Sequence, residues 1–338
     1  MTNLSSSNNF PQHTPPAMLS PGSMSARKSA RGLRKCLPSG QAGFTVIELM
    51  TAVTISLLIV VALTSVLVDS TSTSRTREGA SELQINGRLV LEQIKTDLIH
   101  SGFLGVSSLF FPDQPVTIVV TGACDSETGQ LSHRVRGGDD SNIYSATCIP
   151  TANYARGDIL LVRALDPTPV AAPYASNRIY YKSAYEGGKA FVGPTPPDFT
   201  GTSKYPPYFT YALKESAYFI SPFTTAASET PLVPAMYRAV LSAGPGVSRE
   251  LVASGVEDLQ IRYGVFQTND TVRYFDADEL NASDWDLVRS VQIWVLMRTA
   301  RPETGYTNTN TYVMGTASVT KNDGYRRLLL STVVQLRN

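Results

Sequence analysis

The chain has 338 residues, enough to bury a sizeable core and to form one large domain or two small ones beyond any leader and anchor. Its formal charge of +1 hides an asymmetry: Arg27, Lys28, Arg31, Arg34 and Lys35 all stand in the first 43 residues, which contain no acid, and the other 295 residues carry 24 basic against 28 acidic side chains, a net of −4. That balance argues against a nucleic-acid binder, which needs a concentrated basic face to meet phosphates.

Residues 1–26 are rich in Ser, Asn and Pro without periodicity, and this composition predicts disorder. Met24 opens a shorter basic leader, MSARKSARGLRKCLPSGQAG, and is the expected translation start. Residues 43–68, GFTVIELMTAVTISLLIVVALTSVLV, then stay apolar, with Glu48 as their one ionisable residue. From Phe44 to Val68 a rise of about 1.5 Å per residue gives roughly 37 Å of helix, against a hydrocarbon layer of about 30 Å. The length predicts a membrane span. A carboxylate alone in lipid is costly, so Glu48 needs a partner or an interfacial position and is a candidate functional residue. A secretory signal peptide fits less well, because such peptides are cut after a shorter apolar stretch. With the basic cluster on the N-terminal side of the span, the N-terminus is expected in the cytoplasm and everything beyond Val68 outside it.

After the polar run DSTSTSRTREG, the residues Leu83, Val90, Ile94 and Leu98 recur at helical spacing, with Glu82, Arg88, Glu92 and Lys95 elsewhere around the axis. The pattern predicts one helix with a membrane half over 44–68 and a soluble half over 69–102. Gly79 and Gly87 are its expected bending points, and Gly102 with Gly105 its end. Residues 103–338 are expected to form a β-rich globular domain. Strands are predicted at 116–120, 158–165, 178–183, 208–213, 217–220 and 236–241 from runs of β-branched and aromatic residues. Alternation predicts three more. Leu259, Ile261, Tyr263 and Val265 line one face of a half-buried strand; Val291, Ile293, Val295 and Met297 oppose Trp294 and Leu296 on a strand that is either central or covered by a loop; and Leu328, Leu330, Thr332, Val334 and Leu336 line a last one. Residues 121–157 and 184–207 read as long loops, since their prolines and glycines oppose regular ladders.

Three cysteines divide by compartment. Cys36 lies in the leader, whereas Cys124 and Cys148, with 23 residues between them, are expected to form a disulfide outside the cytoplasm. Zinc is a poor alternative, with His133 the one nearby histidine. Asp270, Asp276, Asp278, Glu279, Asp284 and Asp286 could offer oxygens to calcium, but the segment lacks the spacing of a calcium loop and reads as a solvated polar loop. The scattered histidines and the lack of GxSxG, HExxH or Walker motifs point to a protein that is not an enzyme and takes no cofactor or metal.

The segment GFTVIELM, behind a basic leader and ahead of an apolar span, resembles the type III signal of prepilin-like proteins. The resemblance implies cleavage between Gly43 and Phe44 by a prepilin peptidase, N-methylation of Phe44, and a role in assembly for Glu48, fifth in the mature chain. Together with the segment from Leu83 to Phe103, RELVASGVEDLQIRYGV and the final DGYRRLLLSTVVQLRN, it is similar to the PilW family of type IV pilus assembly proteins, which are minor pilins. That resemblance implies an α+β, pilin-like fold, with a long N-terminal helix packed on an antiparallel sheet domain with long loops. It implies an inner-membrane, single-pass protein with a periplasmic domain that joins a minor-pilin complex at the pilus tip. The implied partners are other minor pilins, the major pilin, the inner-membrane assembly platform and a large tip adhesin, with no nucleic acid bound directly. One departure stands out: family members often have a pattern like GYxGC after the helix, where this chain has GFLGV, so the family's disulfide arrangement does not transfer. Two alternatives stay open at the level of sequence, a type II secretion pseudopilin and a non-polymerising membrane-tethered binding domain.

Overall fold

A computed structural model describes residues 43–107, 133–144, 149–176, 178–241 and 247–336. Leader residues 1–42, the strand expected at 116–120 and Cys36, Cys124 and Cys148 lie outside these residues, and so does the expected disulfide. The chain divides into two units, Met1–Ala62 and Leu63–Asn338.

One helix, α1, runs over Val46–His100 and belongs to both. It contains no proline, and hydroxyl groups along it are satisfied within the helix: Thr51 donates to the Glu48 carbonyl at 3.0 Å, Thr54 to Thr51 at 2.9 Å and Thr71 to Val68 at 2.8 Å. Such back-bonding lets polar side chains sit in an apolar helix without leaving donors unpaired. The C-terminal end closes on glycine. Gly102 adopts φ +76°, which a side chain would resist, and its N–H reaches the Arg163 carbonyl at 3.0 Å.

Among the described residues of the second unit, thirteen strands form three antiparallel sheets. The largest contains β1 (Val135–Gly138), β2 (Ile159–Leu165), β3 (Ile179–Ala184), β4 (Gly187–Val192), β5 (Phe209–Ser221), β6 (Ala235–Leu241) and β7 (Val247–Ser254), in the order β1-β2-β5-β3-β4 with β6 added to β5 and β7 to β6. The second contains β8 (Val256–Phe266), β9 (Val272–Phe275), β10 (Val288–Arg298) and β13 (Arg327–Gln335), in the order β13-β10-β8-β9. A hairpin of β11 (Thr311–Met314) and β12 (Ala317–Thr320) completes the set.

The expected helical stripe becomes the centre of the core. Leu83, Val90, Ile94 and Leu98 are buried in one apolar cluster with Leu160, Tyr218 and Met236 of the first sheet and Ile261, Val291, Ile293, Val295 and Val334 of the second. Each such side chain, fully buried, stabilises by about 1.5–3 kcal/mol. Gly87 lies in the same stripe and is a contact point as well: a Cβ there would run into Leu330 and stand 3.2 Å from Met297 Cγ. The helix continues unbroken through Gly79 and Gly87, and Gly87 lets helix and sheet approach closely.

Other differences have equally local causes. The runs at 208–213 and 217–220 are one strand, β5, because Glu215 in the intervening Lys-Glu-Ser is buried against Arg163 at 2.6 Å instead of breaking the ladder. The segments read as long loops contain β1 and β4. Their glycines serve close packing: Gly137 faces Tyr263 Oη and the Ile159 carbonyl, and Gly188 faces the Lys182 carbonyl and the Tyr181 ring, with no room for a Cβ at either place. β8 is buried on both faces rather than half-buried, with Glu257, Asp258 and Gln260 among its buried residues. β10 is central, and Gly315 in the β11–β12 turn comes within 3.2 Å of Trp294 through the position its Cβ would take, so both expectations for that strand hold.

Candidate functional site

The candidate site begins where α1 starts. Gly43 and Phe44 precede the helix, Phe44 is 82% exposed, and Glu48 stands in the first turn. Thr45 holds that turn: its Oγ1 accepts the Glu48 N–H at 3.3 Å and its carbonyl accepts the same N–H at 3.0 Å. The spacing Thr-x-x-Glu is a helix-start signature that the sequence reading passed over in favour of the processing motif. A carboxylate in the first turn also faces the positive end of the helix dipole, so Glu48 is placed favourably for the helix itself. Around it, Val46, Ile47, Leu49, Met50, Val53 and Leu57 are all exposed, and none of the most apolar 18-residue window is buried. An apolar surface of this extent marks a lipid or protein contact.

A second cluster collects the residues of the two C-terminal motifs. Arg327 of DGYRRLLL meets Glu257 of GVEDLQIRYGV through Nε at 2.5 Å and Nη2 at 3.1 Å, and meets Asp323 through Nη1 at 2.6 Å and Nη2 at 2.8 Å. Arg156 adds a further bond to Glu257 at 3.3 Å. The side chains of Arg327 and Glu257 are 1% and 4% exposed. Because β10 lies between β13 and β8, this pair fastens the starts of two strands across the end of a third. The Arg327 hydrogen bond holds the Asp323 carboxyl below its ordinary range. With one partner removed, a buried charge would remain, which costs about 3–5 kcal/mol.

Polar ties bind the soluble half of α1 to this domain. Tyr218 donates to Asp97 Oδ2 at 2.7 Å, with Arg238 3.7 Å from the same oxygen. Burial first, then the Asp97 charge, raises the Tyr218 phenol well above its usual range. Asn86 Nδ2 reaches the Ser254 carbonyl at 3.3 Å, and the Glu303–Arg326 pair lies beside Thr76.

The acidic stretch 270–286 is not a solvated loop throughout. It contains β9 and two short 3-10 turns, and Asp276 receives Arg262 Nε at 2.8 Å and the Thr316 hydroxyl at 2.8 Å, while Asp286 meets His133 at 3.0 Å. Among the described residues no group of three or more His, Cys, Asp and Glu side chains is placed to hold a metal. Sequence pattern also missed Asp158, a fully buried carboxyl just ahead of β2, because an Asp before an apolar run carries no sign of the strand that will cover it.

The region holding the second half of β5, the strands after it and the Arg327–Glu257 pair has a known counterpart. Residues 217–338 match the family model of PilW, Type IV Pilus-assembly protein W. No curated protein and no solved structure matches the chain. The PilW match and the membrane-length apolar helix support a role in pilus or pseudopilus assembly as a minor, membrane-anchored, pilin-like protein. The one apolar helix of membrane length among the described residues supports one inner-membrane span, and the fold is pilin-like, an N-terminal helix packed on antiparallel sheet.

Proposed function

We propose that this chain is a minor pilin that takes part in initiating and assembling type IV pili. Its N-terminus faces the cytoplasm, a prepilin peptidase cuts between Gly43 and Phe44, and the domain beyond the span is periplasmic until the subunit joins a minor-pilin complex at the pilus tip. The observation that carries this reading is the start of α1 in a chain whose C-terminal region matches PilW: an exposed apolar helix with a single carboxylate, Glu48, four residues beyond an exposed Phe44. Cleavage creates an α-amine on Phe44. In an apolar bundle that cation and the Glu48 carboxylate of a neighbouring subunit offset part of each other's desolvation, and the pair sets the stagger that nonspecific apolar contacts leave free. The proposed partners are the prepilin peptidase, other minor pilins, the major pilin, the inner-membrane platform and a tip adhesin, and Cys124 and Cys148 are proposed to be joined.

The test is Glu48→Val in cells that carry it as the only copy. Membrane insertion and cleavage are expected to be unchanged, while co-purification with other minor pilins and the number of surface pili fall. Wild-type levels of both would leave an unpolymerised, membrane-tethered domain as the better reading, since there the substitution only removes a charge from lipid.

A further inference from the structure

α1 enters the domain from its apolar end, so a strand that runs along it shows which end of the domain lies next to lipid. A Cβ at Gly87 would stand 3.2 Å from Met297 Cγ, and one at Gly79 would stand 3.4 Å from Thr299 Cγ2. β10 therefore runs back along α1 towards the apolar run, and residues 300–306, which follow it, form the membrane-proximal end of the domain. Residues 63–68, the last of the apolar run, belong to the same unit as the domain, so this placement is internal to one unit. From Val68 to Gly79 the helix rises about 16 Å. The headgroup layer occupies about 5–7 Å of that height, and the loop beyond Thr299 lies closer still to the membrane.

Arginines gather at this end. Arg75 and Arg77 are exposed on α1, and Arg301 is exposed on the loop. Side chains of a helix lean towards its N-terminus, which here means towards the membrane, and arginine carries its charge at the end of a long stem. The carboxylates of the domain at this end are engaged with other arginines: Glu303 with Arg326, and Asp323 and Glu257 with Arg327. Asp69 and Glu78 on α1 are the acids that stand against Arg75, Arg77, Arg301 and the half-buried Arg298, so the surface keeps an excess of positive charge. Two half-buried tyrosines lie among these cations: the Arg298 guanidinium is 4.2 Å from the centre of the Tyr325 ring and that of Arg326 is 4.3 Å from Tyr306. Tyrosine rings with a polar tip suit the level of the headgroups.

We propose that this end of the domain, through Arg75, Arg77 and Arg301, docks on the phosphates of anionic phospholipid headgroups around the span and holds the domain in one orientation on the membrane before the subunit assembles. The inference rests on α1 as a membrane span and not on the direction in which the chain crosses. A guanidinium offers a phosphate two parallel N–H donors, so it adds geometry to the attraction of charge. Each arginine near an anionic membrane surface contributes about a fivefold factor in occupancy, and the effect fades within a Debye length. Arg75, Arg77 and Arg301 gather within that range of the headgroups, whereas Arg88, also exposed on α1, stands about 20 Å further from the membrane than Arg75.

The experiment places the full chain in lipid nanodiscs of phosphatidylcholine alone and of phosphatidylcholine mixed with phosphatidylglycerol. Hydrogen exchange of residues 300–306 is expected to be slower by about fivefold or more in the anionic discs, and the difference to vanish in about 1 M salt, where screening acts within about 3 Å. The combined variant Arg75→Gln, Arg77→Gln, Arg301→Gln is expected to load into both discs and to exchange in each at the rate seen in neutral lipid. Arg88→Gln should behave as the wild type. Equal exchange of the wild type in the two lipids, or undiminished slowing in the combined variant, overturns the docking surface while leaving the span intact. Slowing by inorganic phosphate in neutral discs overturns it too, because the arginines would then hold a free anion. A chain that loads into neither disc overturns the span, and this inference with it.

Discussion

The two ends of α1 follow opposite rules. From Val46 to Val68 every residue is exposed and apolar residues surround the axis, whereas from Leu83 to Leu98 one face is buried and the others are polar or partly exposed. The side chains of the first stretch are exposed along its whole length, and those of the second stretch are at the centre of the domain core. A helix that is apolar all round requires an apolar surrounding from elsewhere, lipid or other helices; an amphipathic one finds it within the fold. Substitutions in the first stretch should therefore change membrane residence and assembly, and those in the second should change domain stability.

The largest expected effect on stability comes from the core of the signature region. Arg327→Ala leaves Glu257 buried at 4% exposure without its bidentate partner and should cost about 3–5 kcal/mol in urea unfolding of the domain. A loss below about 1 kcal/mol would show that Arg156 alone satisfies Glu257.

Ile94→Ala removes a fully buried side chain from the stripe and should cost about 2–5 kcal/mol, while Leu57→Ala, 64% exposed in the apolar stretch, should leave domain unfolding unchanged within about 0.5 kcal/mol. Equal effects from the two would erase the contrast between the halves.

Gly87→Ala sets two magnitudes against each other. Alanine favours helix over glycine by about 1 kcal/mol, but its Cβ must displace Leu330 and crowd Met297, and overpacking costs about 1–3 kcal/mol. The expected net is destabilisation of about 1 kcal/mol, and a variant more stable than the wild type would mean that Leu330 yields freely. The smallest effect belongs to Glu48→Gln. It should move domain unfolding by less than about 0.5 kcal/mol, since the side chain is exposed and remote in sequence from the core stripe, even where it abolishes assembly.

Periodicity alone was enough to read α1 and its buried stripe, because a helix repeats its environment every few residues and Leu83, Val90, Ile94 and Leu98 record that repeat. It was also enough to place β2, β3, β6, β8, β10 and β13, although alternation in β8 did not reveal that its second face is buried too. The proposed processing motif, Gly43–Phe44 with Glu48, is likewise a local pattern.

Other features depend on residues far apart in the chain. The continuity of β5 through Glu215 depends on Arg163, 52 positions away, and the placement of Gly137 depends on Tyr263. Neither glycine nor glutamate signals by itself whether it breaks a strand or packs within one. The same holds for Arg327 with Glu257: charge type and sequence neighbours were visible, but not that the two would neutralise each other in the interior. The sequence by itself determined the long helix, the membrane-length apolar run and the strands with a clear apolar pattern, because those depend on short-range repetition. The tertiary structure alone decided which polar groups are buried and what faces them, because burial is set by chain segments that approach only once the sheets and the helix have packed.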